Sequence, residues 1–306
     1  MDKSVSIALA TYNGAAYLKE QLDSLLAQSY PIKEIIVCDD RSTDDTVKIL
    51  YTYNDRLPLK IYVNSQSLGV TENFKKAVSL CTGDYIALCD QDDVWRSDKI
   101  EKSVVELRKI DVDSELPALI YTDLEVVDQN LATIAPSFWK LTDRNPSKVN
   151  FVKLLLSNVV TGCTVLMNRR MAEEMQKMPE GAEMHDFWLA LIAYGIGKSS
   201  FIKQATVKYR QHGRNVTITK KVNLWTRLVE LVEFIVNLGD DKSYKMDAIR
   251  QADVFFSLYG SQSRLPPLYR RALERIVTLK NKPPWIRKVH VLAIKYSRWK
   301  VTDVAS

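Results

Sequence analysis

The stretch Asp84-Tyr85-Ile86-Ala87-Leu88-Cys89-Asp90-Gln91-Asp92-Asp93 decides the reading of this chain. The run Asp84 to Leu88 reads as a buried strand, and it delivers the three carboxylates of Asp90, Asp92 and Asp93 at its C-terminal end. Open α/β sheets bind their ligands at that end of the strands. Carboxylates crowded on one turn repel one another unless a cation or a hydrogen-bond network offsets the charge. Hard divalent cations such as Mg²⁺ and Mn²⁺ favour oxygen ligands. The simplest occupant of such a turn is a metal ion holding a phosphate.

Outward from this stretch the first half of the chain alternates in a βαβ rhythm, with Asn, Asp, Gly and Pro at the junctions. Strands are expected at Val5 to Ala10, Glu34 to Cys38 and Leu59 to Val63, and helices at about Ala15 to Gln28, Thr43 to Tyr51 and Val70 to Cys81. Such alternation predicts a mostly parallel sheet with helices on both faces. Further on, strands are expected near Ala118 to Thr122 and at Thr164 to Asn168, and helices near Lys148 to Ser157 and Phe187 to Tyr194. Two short β segments, Ser200 to Lys203 and Thr206 to Tyr209, follow. After Asn215 the texture turns helical, with patterns at Asn223 to Leu238, Lys242 to Tyr259, Leu268 to Leu279 and Trp285 to Val301. The boundary between an α/β domain, residues 1 to 217, and a helical extension, residues 218 to 306, is placed near Thr217.

The chain has 306 residues, 46% of them hydrophobic and 26% charged, enough for a sizeable core. Its four cysteines, Cys38, Cys81, Cys89 and Cys163, show no Cys-x-x-Cys spacing and sit mostly beside apolar runs, which predicts small packed hydrophobes in a reducing, cytoplasmic compartment. No secretion signal and no membrane span are expected. The net charge of +6 hides an asymmetry: Arg264 to Lys300 holds eleven Lys or Arg against Glu274 alone, so the remainder is net acidic. An acidic first domain argues against nucleic acid as a partner.

Three motifs follow the strands in order: Thr11-Tyr12-Asn13-Gly14, then Cys38-Asp39-Asp40-Arg41-Ser42-Thr43-Asp44-Asp45-Thr46, then the Asp90 cluster. Leu68-Gly69 before Asn73-Phe74, and Thr82-Gly83-Asp84, add further steps. In this order the chain resembles the inverting family 2 glycosyltransferases of the GT-A fold over about residues 4 to 216, and within them the bacterial, rhamnosyltransferase-like enzymes of surface polysaccharide synthesis. The resemblance implies that Thr11, Tyr12 and Asn13 line a nucleotide pocket, that Asp40, supported by Asp39, contacts the base or ribose, and that Asp90 sits near the ribose or sugar. It implies that Asp92 ligates Mn²⁺ or Mg²⁺ on the diphosphate. Read without the resemblance, Asp39-Asp40 is also a plausible solvated turn capping the next helix.

The family places a general base at the start of a downstream helix, and the matching position reads Glu183-Met184-His185-Asp186-Phe187-Trp188. Asp186 is the candidate catalytic base, because a single displacement at an anomeric carbon needs a carboxylate in reach of the acceptor hydroxyl. His185 stands where the family commonly has Glu. Tyr209-Arg210-Gln211-His212-Gly213-Arg214 resembles the family's Tyr-Arg-x-His segment, with His212 a metal ligand and Arg210 and Arg214 diphosphate partners, since guanidinium forks match phosphate oxygens. Thr161-Gly162-Cys163-Thr164 resembles an acceptor-side segment, although a tight turn also demands Gly162. Trp139 and Trp188 are of a type that stacks on sugars or packs in a core.

At 100° per residue, Trp285, Ile286, Val289, Leu292, Ala293, Tyr296 and Trp299 share one arc, with Arg287, Lys288, Lys295 and Arg298 beside or opposite it. That is a basic amphipathic helix suited to an anionic membrane surface, or equally to packing on the domain or on a second subunit. The expectation is a metal-dependent inverting transferase at the inner membrane face. It moves a sugar from a dTDP- or UDP-sugar to a glycan or lipid-linked acceptor, with homo-oligomerisation left open. The alternative is a catalytically inactive, membrane-associated sugar-nucleotide binder. A nucleotidyltransferase would want a Gly-rich basic loop after the first strand, and a nicotinamide enzyme a Gly-x-Gly-x-x-Gly turn; neither occurs.

Overall fold

The computed structural model describes residues 3–112, 115–180, 182, 184–213 and 246–296. Nine strands form one sheet: β1 Val5–Thr11, β2 Ile32–Asp39, β3 Leu59–Val63, β4 Tyr85–Cys89, β5 Val94–Trp95, β6 Ala118–Val127, β7 Thr133–Ala135, β8 Leu166–Asn168 and β9 Lys198–Arg210. The helices are α1 Leu18–Leu26, α2 Thr46–Tyr51, α3 Val70–Leu80, α4 Lys99–Ile110, α5 Phe138–Leu141, α6 Phe151–Leu154, α7 Arg169–Gln176, α8 His185–Gly195, α9 Met246–Tyr259, α10 Pro267–Thr278 and α11 Pro284–Tyr296.

The strand order is β3-β2-β1-β4-β8-β6-β9-β5, with β7 on β6. β1, β2 and β4 are nearly continuous apolar runs because both faces of a parallel sheet are covered. The first four strands pair in parallel, and the parallel pair β6 and β9 joins them through the antiparallel β8. Since β8 runs against both neighbours, β1, β2, β4, β6 and β9 all end at the same sheet edge. The register fixes how closely: Thr11 lies beside Asp39, and Leu9 beside Cys89.

Several expectations change. The sheet is mixed rather than mostly parallel in its second half. The two β segments after Ser200 are one strand, β9, which absorbs register shifts against Thr122, Asp123 and Leu124. The segment Gly162–Thr164 is a 3₁₀ turn, so β8 starts only at Leu166. The helix expected at Lys148 to Ser157 is a 3₁₀ turn, Pro146–Lys148, followed by the short α6, because Asn150 caps a new start by accepting from the Lys153 amide. The reading did not anticipate α4, although Ile100, Val104 and Leu107 repeat at helical spacing and are buried. The α7 helix and the two-residue β5 were also unforeseen. The expected helix at 223–238 and the boundary near Thr217 fall outside the described residues.

The described C-terminal helices share the core of the sheet domain. Phe151 on α6 meets Phe255 on α9 at 5.6 Å and Tyr269 on α10 at 4.7 Å between ring centroids. Trp188 on α8 lies 5.8 Å from Phe255 and is fully buried, so it is a core residue. The Tyr259 hydroxyl donates to Glu174 on α7. On α11, Arg287 and Lys288 face inward and are buried, while Trp285 and Val289 are about half exposed. Apolar members of the expected arc therefore look outward. Among the described residues no helix is long and apolar enough to cross a membrane.

Candidate active site

The loops after β1, β2 and β4 are tied together by side chains that the motifs supply. Asp39 accepts from Thr11 Oγ1 at 2.7 Å, and from the Ser42 amide and hydroxyl at 2.8 and 2.6 Å. That turn needs Arg41 in the left-handed region, at φ 67°, and Asn13 adopts φ 47° opposite it. Asn13 Oδ1 accepts from the Thr43 amide, and the Asn13 amide donates to Ser42 Oγ. Tyr12 is 55% exposed, while its backbone is held by Gln91: the Tyr12 amide donates to Gln91 Oε1 and its carbonyl accepts from Gln91 Nε2. A Cβ at Gly14 would fall 2.1 Å from Gln91 Oε1, so any larger residue there would push the Gln91 amide out of its clamp on Tyr12. Gln91 is a site residue that the sequence reading passed over as a spacer between acids.

Asp40 is buried and receives four donors: Asn64 Nδ2, Ser67 Oγ and the amides of Leu68 and Gly69. Burial opposes its ionisation, but these hydrogen bonds outweigh it and hold its carboxyl below the usual range. A carboxylate offers about four acceptor positions. Asp40 therefore spends its capacity on shaping the Asn64 to Gly69 wall, and a base or ribose reaching it would have to displace one of these donors.

The acidic loop follows β4. Asp90 is partly buried, and burial together with the charges of Asp92 and Asp186 raises its pKa to about 7. Asp93 is fully buried and its pKa is raised well above the usual carboxylate value by burial and by the charges of Asp92 and Asp90; Oδ1 accepts from the Arg210 amide at 3.2 Å. Beneath it lies an unforeseen group, Lys99 at the start of α4. It is fully buried, its ammonium 3.9 Å from the Trp95 ring centroid, and burial lowers its pKa to about 8. Asp93 is among the groups whose charge it feels, so it offsets part of the acidic charge.

Two donor sets present themselves to a metal. Asp90, Asp93 and Cys163 bring their ligand atoms within 4.8 Å of one another. Burial drives both the Cys163 thiol and the Asp93 carboxyl towards their neutral forms, and sulfur is a soft ligand, so this set fits a hard cation poorly. The second set is Asp92 with His212. His212 Nε2 lies 2.8 Å from Asp92 Oδ2, and the two side chains are 9% and 18% exposed. Tyr17 stacks on the His212 ring at 4.8 Å. A carboxylate and an imidazole fit Mn²⁺ well, with Asp90 alongside.

Arg210 sits below this pair. It is 1% exposed, donates to the carbonyls of Asp92 and Gln129 at 2.9 and 2.6 Å, bonds Glu20, and lies 4.6 Å over the Tyr17 ring. Its guanidinium is thus committed to holding the loop that carries Asp92, rather than presented to a diphosphate. Arg214 and Glu183 lie outside the described residues.

On the far side of the acidic loop, α8 begins with His185 and Asp186. His185 is buried against Phe74 at 4.5 Å, and burial lowers its pKa to about 4, so it packs as a neutral ring. A Cβ on Gly162 would stand 3.0 Å from His185 Nε2, which explains glycine there as clearance for the ring. Asp186 is electrostatically coupled to Asp90 and to Arg144, a cation that no motif singled out. The sequence gives no local sign of Arg144, which reaches the site only because the turn after α5 folds over the sheet.

The model of Glycosyl transferase family 2 matches residues 6–175, more than half of the chain. The chain belongs to glycosyl transferase family 2. Among curated relatives the transferase is 28% identical over 260 residues to the dTDP-rhamnosyl transferase RfbG of Shigella flexneri, covering 76% of this chain and 85% of that one. It is 28% identical over 193 residues to WfgD of Escherichia coli, a UDP-Glc:alpha-D-GlcNAc-diphosphoundecaprenol beta-1,3-glucosyltransferase, covering 62% of this chain and 70% of that one. An uncharacterized glycosyltransferase of Rickettsia prowazekii is 29% identical over 219 residues, 70% of this chain and 66% of that one. The transferase spans between 35% and 66% of the Rickettsia relatives it matches. Its fold matches Staphylococcus aureus TarS 1-349 in complex with UDP-GlcNAc at a TM-score of 0.56 and 16% identity, covering 98% and 95% of the two chains. It also matches the Pyrobaculum calidifontis mannosyltransferase PcManGT, in complex with GDP-Man and Mn²⁺, at 0.53 and 18%, covering 96% and 86%. The fold is that of the GT-A structures, with C-terminal helices packed on it.

Proposed function

We propose that the transferase moves a sugar, with rhamnose the first candidate, from a dTDP- or UDP-linked donor to a hydroxyl of a glycan or lipid-linked glycan, inverting the anomeric carbon. The observation that carries this reading is the gathering of carboxylates at one end of the sheet: Asp92, paired with His212 at 2.8 Å, and Asp186 at the start of α8 are both close enough to Asp90 to raise its pKa. The donor nucleotide occupies the cleft bordered by Thr11, Tyr12, Asn13 and the wall that Asp39 and Asp40 build. Asp92 and His212 would hold a divalent cation, which when bound supplies positive charge against the departing diphosphate.

Asp186 accepts the proton of the acceptor hydroxyl while that oxygen forms its bond to the anomeric carbon and the bond to the nucleoside diphosphate breaks. His185, neutral and locked against Phe74 and Gly162, fixes the first turn of α8 and so the direction of the Asp186 carboxylate. The names of the Shigella and Escherichia relatives support dTDP-rhamnose and UDP-glucose as donors and a diphosphate-linked lipid as acceptor.

The test is thermal stability with dTDP, UDP and GDP, each with and without Mn²⁺. A ligand at about 100 times its dissociation constant adds roughly 2.7 kcal/mol. One nucleotide is expected to raise the melting temperature in an Mn²⁺-dependent way, and Asp92→Ala to lose that rise. A rise that survives in Asp92→Ala would remove Asp92 from the metal site.

A cytoplasmic enzyme docked on the inner membrane face fits the outward Trp285 and Val289 beside a basic segment. Trp285→Asp with Val289→Asp is expected to abolish sedimentation with vesicles containing anionic lipid while nucleotide binding persists. Undiminished sedimentation of that variant would rule out α11 as the membrane contact.

A further inference from the structure

A second cleft, of about 270 Å³, opens between the middle of the sheet and the turn after α5. Its apolar wall is Trp139 and Phe201, whose rings meet edge to face at 5.9 Å and 82°, and Trp139 is backed by Tyr121 at 5.8 Å. Such a wall suits the C–H face of a sugar ring. The charged lining is Lys140, Arg144 and Lys203 against the single acid Asp123.

Asp123 has little left to offer a ligand. It accepts from Ser137 Oγ at 2.5 Å and from the amides of Leu124 and Trp139 at 2.9 and 3.2 Å, and burial raises its pKa. Arg144 is in the opposite condition. Its guanidinium lies 5.0 Å over the Phe138 ring, burial lowers its pKa, and among the described residues its side chain has no hydrogen-bond partner. A half-desolvated guanidinium with its planar fork of donors unspent favours a carboxylate or phosphate. The groups whose charge it feels are Asp186 and Tyr209, so the candidate base lies within electrostatic reach of the cleft.

We propose that this cleft is an acceptor subsite for a sugar that carries an oxyanion, with Arg144 as the anion's bidentate partner, Trp139 and Phe201 against the ring, and Lys140 and Lys203 on the rim. The ligand class is a glycosyl phosphate or a uronic acid. This deepens the transferase reading and rests on Asp186 marking the acceptor side. The oxyanion group would also anchor the acceptor so that its free hydroxyl turns to Asp186.

The experiment measures binding of glucose 1-phosphate, methyl glucuronide and neutral methyl glucoside to the full chain by ligand-observed NMR, with Mn²⁺ and saturating nucleotide present. At least one anionic probe is expected to bind about tenfold more tightly than methyl glucoside, as a charge-assisted pair allows. That preference is expected to vanish in Arg144→Ala and to return in part in Arg144→Lys, with nucleotide affinity unchanged in both. Preference for the phosphate probe alone assigns a phosphate-linked acceptor, and preference for the glucuronide alone a uronic acid.

Equal affinity of the wild-type protein for all three probes overturns the subsite, a result that needs no variant to fold. So does an anion preference that Arg144→Ala retains, or one that added nucleotide abolishes by competition; in these cases the donor site stands. A wild-type protein that binds no nucleotide but keeps Arg144-dependent anion binding overturns the proposed donor chemistry and leaves the cleft an anion site.

Discussion

Asp186→Asn is expected to lower the rate of sugar transfer by about 10²–10⁴-fold, the usual contribution of a positioned general base, while nucleotide affinity is retained. Asn has the shape of Asp and leaves the start of α8 in place, with His185 still wedged between Phe74 and Gly162. What it lacks is a lone pair basic enough to take the proton of the attacking hydroxyl. Removing this carboxylate also removes one of the charges that raise the Asp90 pKa, so donor binding has no reason to weaken. Steady-state kinetics beside nucleotide titration on the same preparation separates these effects. An Asp186→Asn enzyme with wild-type turnover would move the base elsewhere, and Asp90 would be the next carboxylate to test.

Arg210→Ala acts on the scaffold. The side chain is buried, and deleting it strands the Glu20 carboxylate and the carbonyls of Asp92 and Gln129 and uncovers the face of Tyr17, against which His212 stacks. Glu20 is half exposed and regains water, so the cost is mainly that of the two carbonyls left without their donor, about 1–3 kcal/mol each, a fall in melting temperature of several degrees for a chain of this size. Nucleotide-dependent stabilisation by Mn²⁺ is expected to weaken as well, because the Asp92 loop loses its anchor. Arg210→Lys keeps the charge but not the fork and is expected to recover only part of the stability. An Arg210→Ala protein that melts with the wild type would show that the guanidinium does not hold the loop.

Much of the donor half was legible along the chain because its signals are local. A strand buried on both faces must be an apolar run, and the turn that leaves it must be polar, so β1, β2 and β4 with Thr11, Asp39 and Asp90 at their ends could be read directly. The order of three such turns led to the family, and the family model agrees over residues 6–175. The α4 helix is hard to read although its spacing is regular and Ser97-Asp98 precede it, because its charged residues dilute the apolar face. The single strand β9 was read as two because the residues at its register shifts break the alternation that marks a strand.

What the sequence by itself determined is the fold class, the sheet edge that carries the chemistry, and the acids that stand on it, since strand pattern and turn composition depend on near neighbours alone. Tertiary structure decided what each polar group does there. Asp40 and Arg210 carry the residue types of ligand contacts, yet four donors close on the one and three acceptors on the other, so both build the site's walls. Gln91 and Arg144 gain their places only through partners distant in sequence, Tyr12 for the first and Asp186 for the second, and the full burial of Lys99 beside Trp95 is likewise a result of the assembled fold. The physical reason is that burial and hydrogen-bond saturation are properties of the assembled neighbourhood, and no residue type or spacing encodes them.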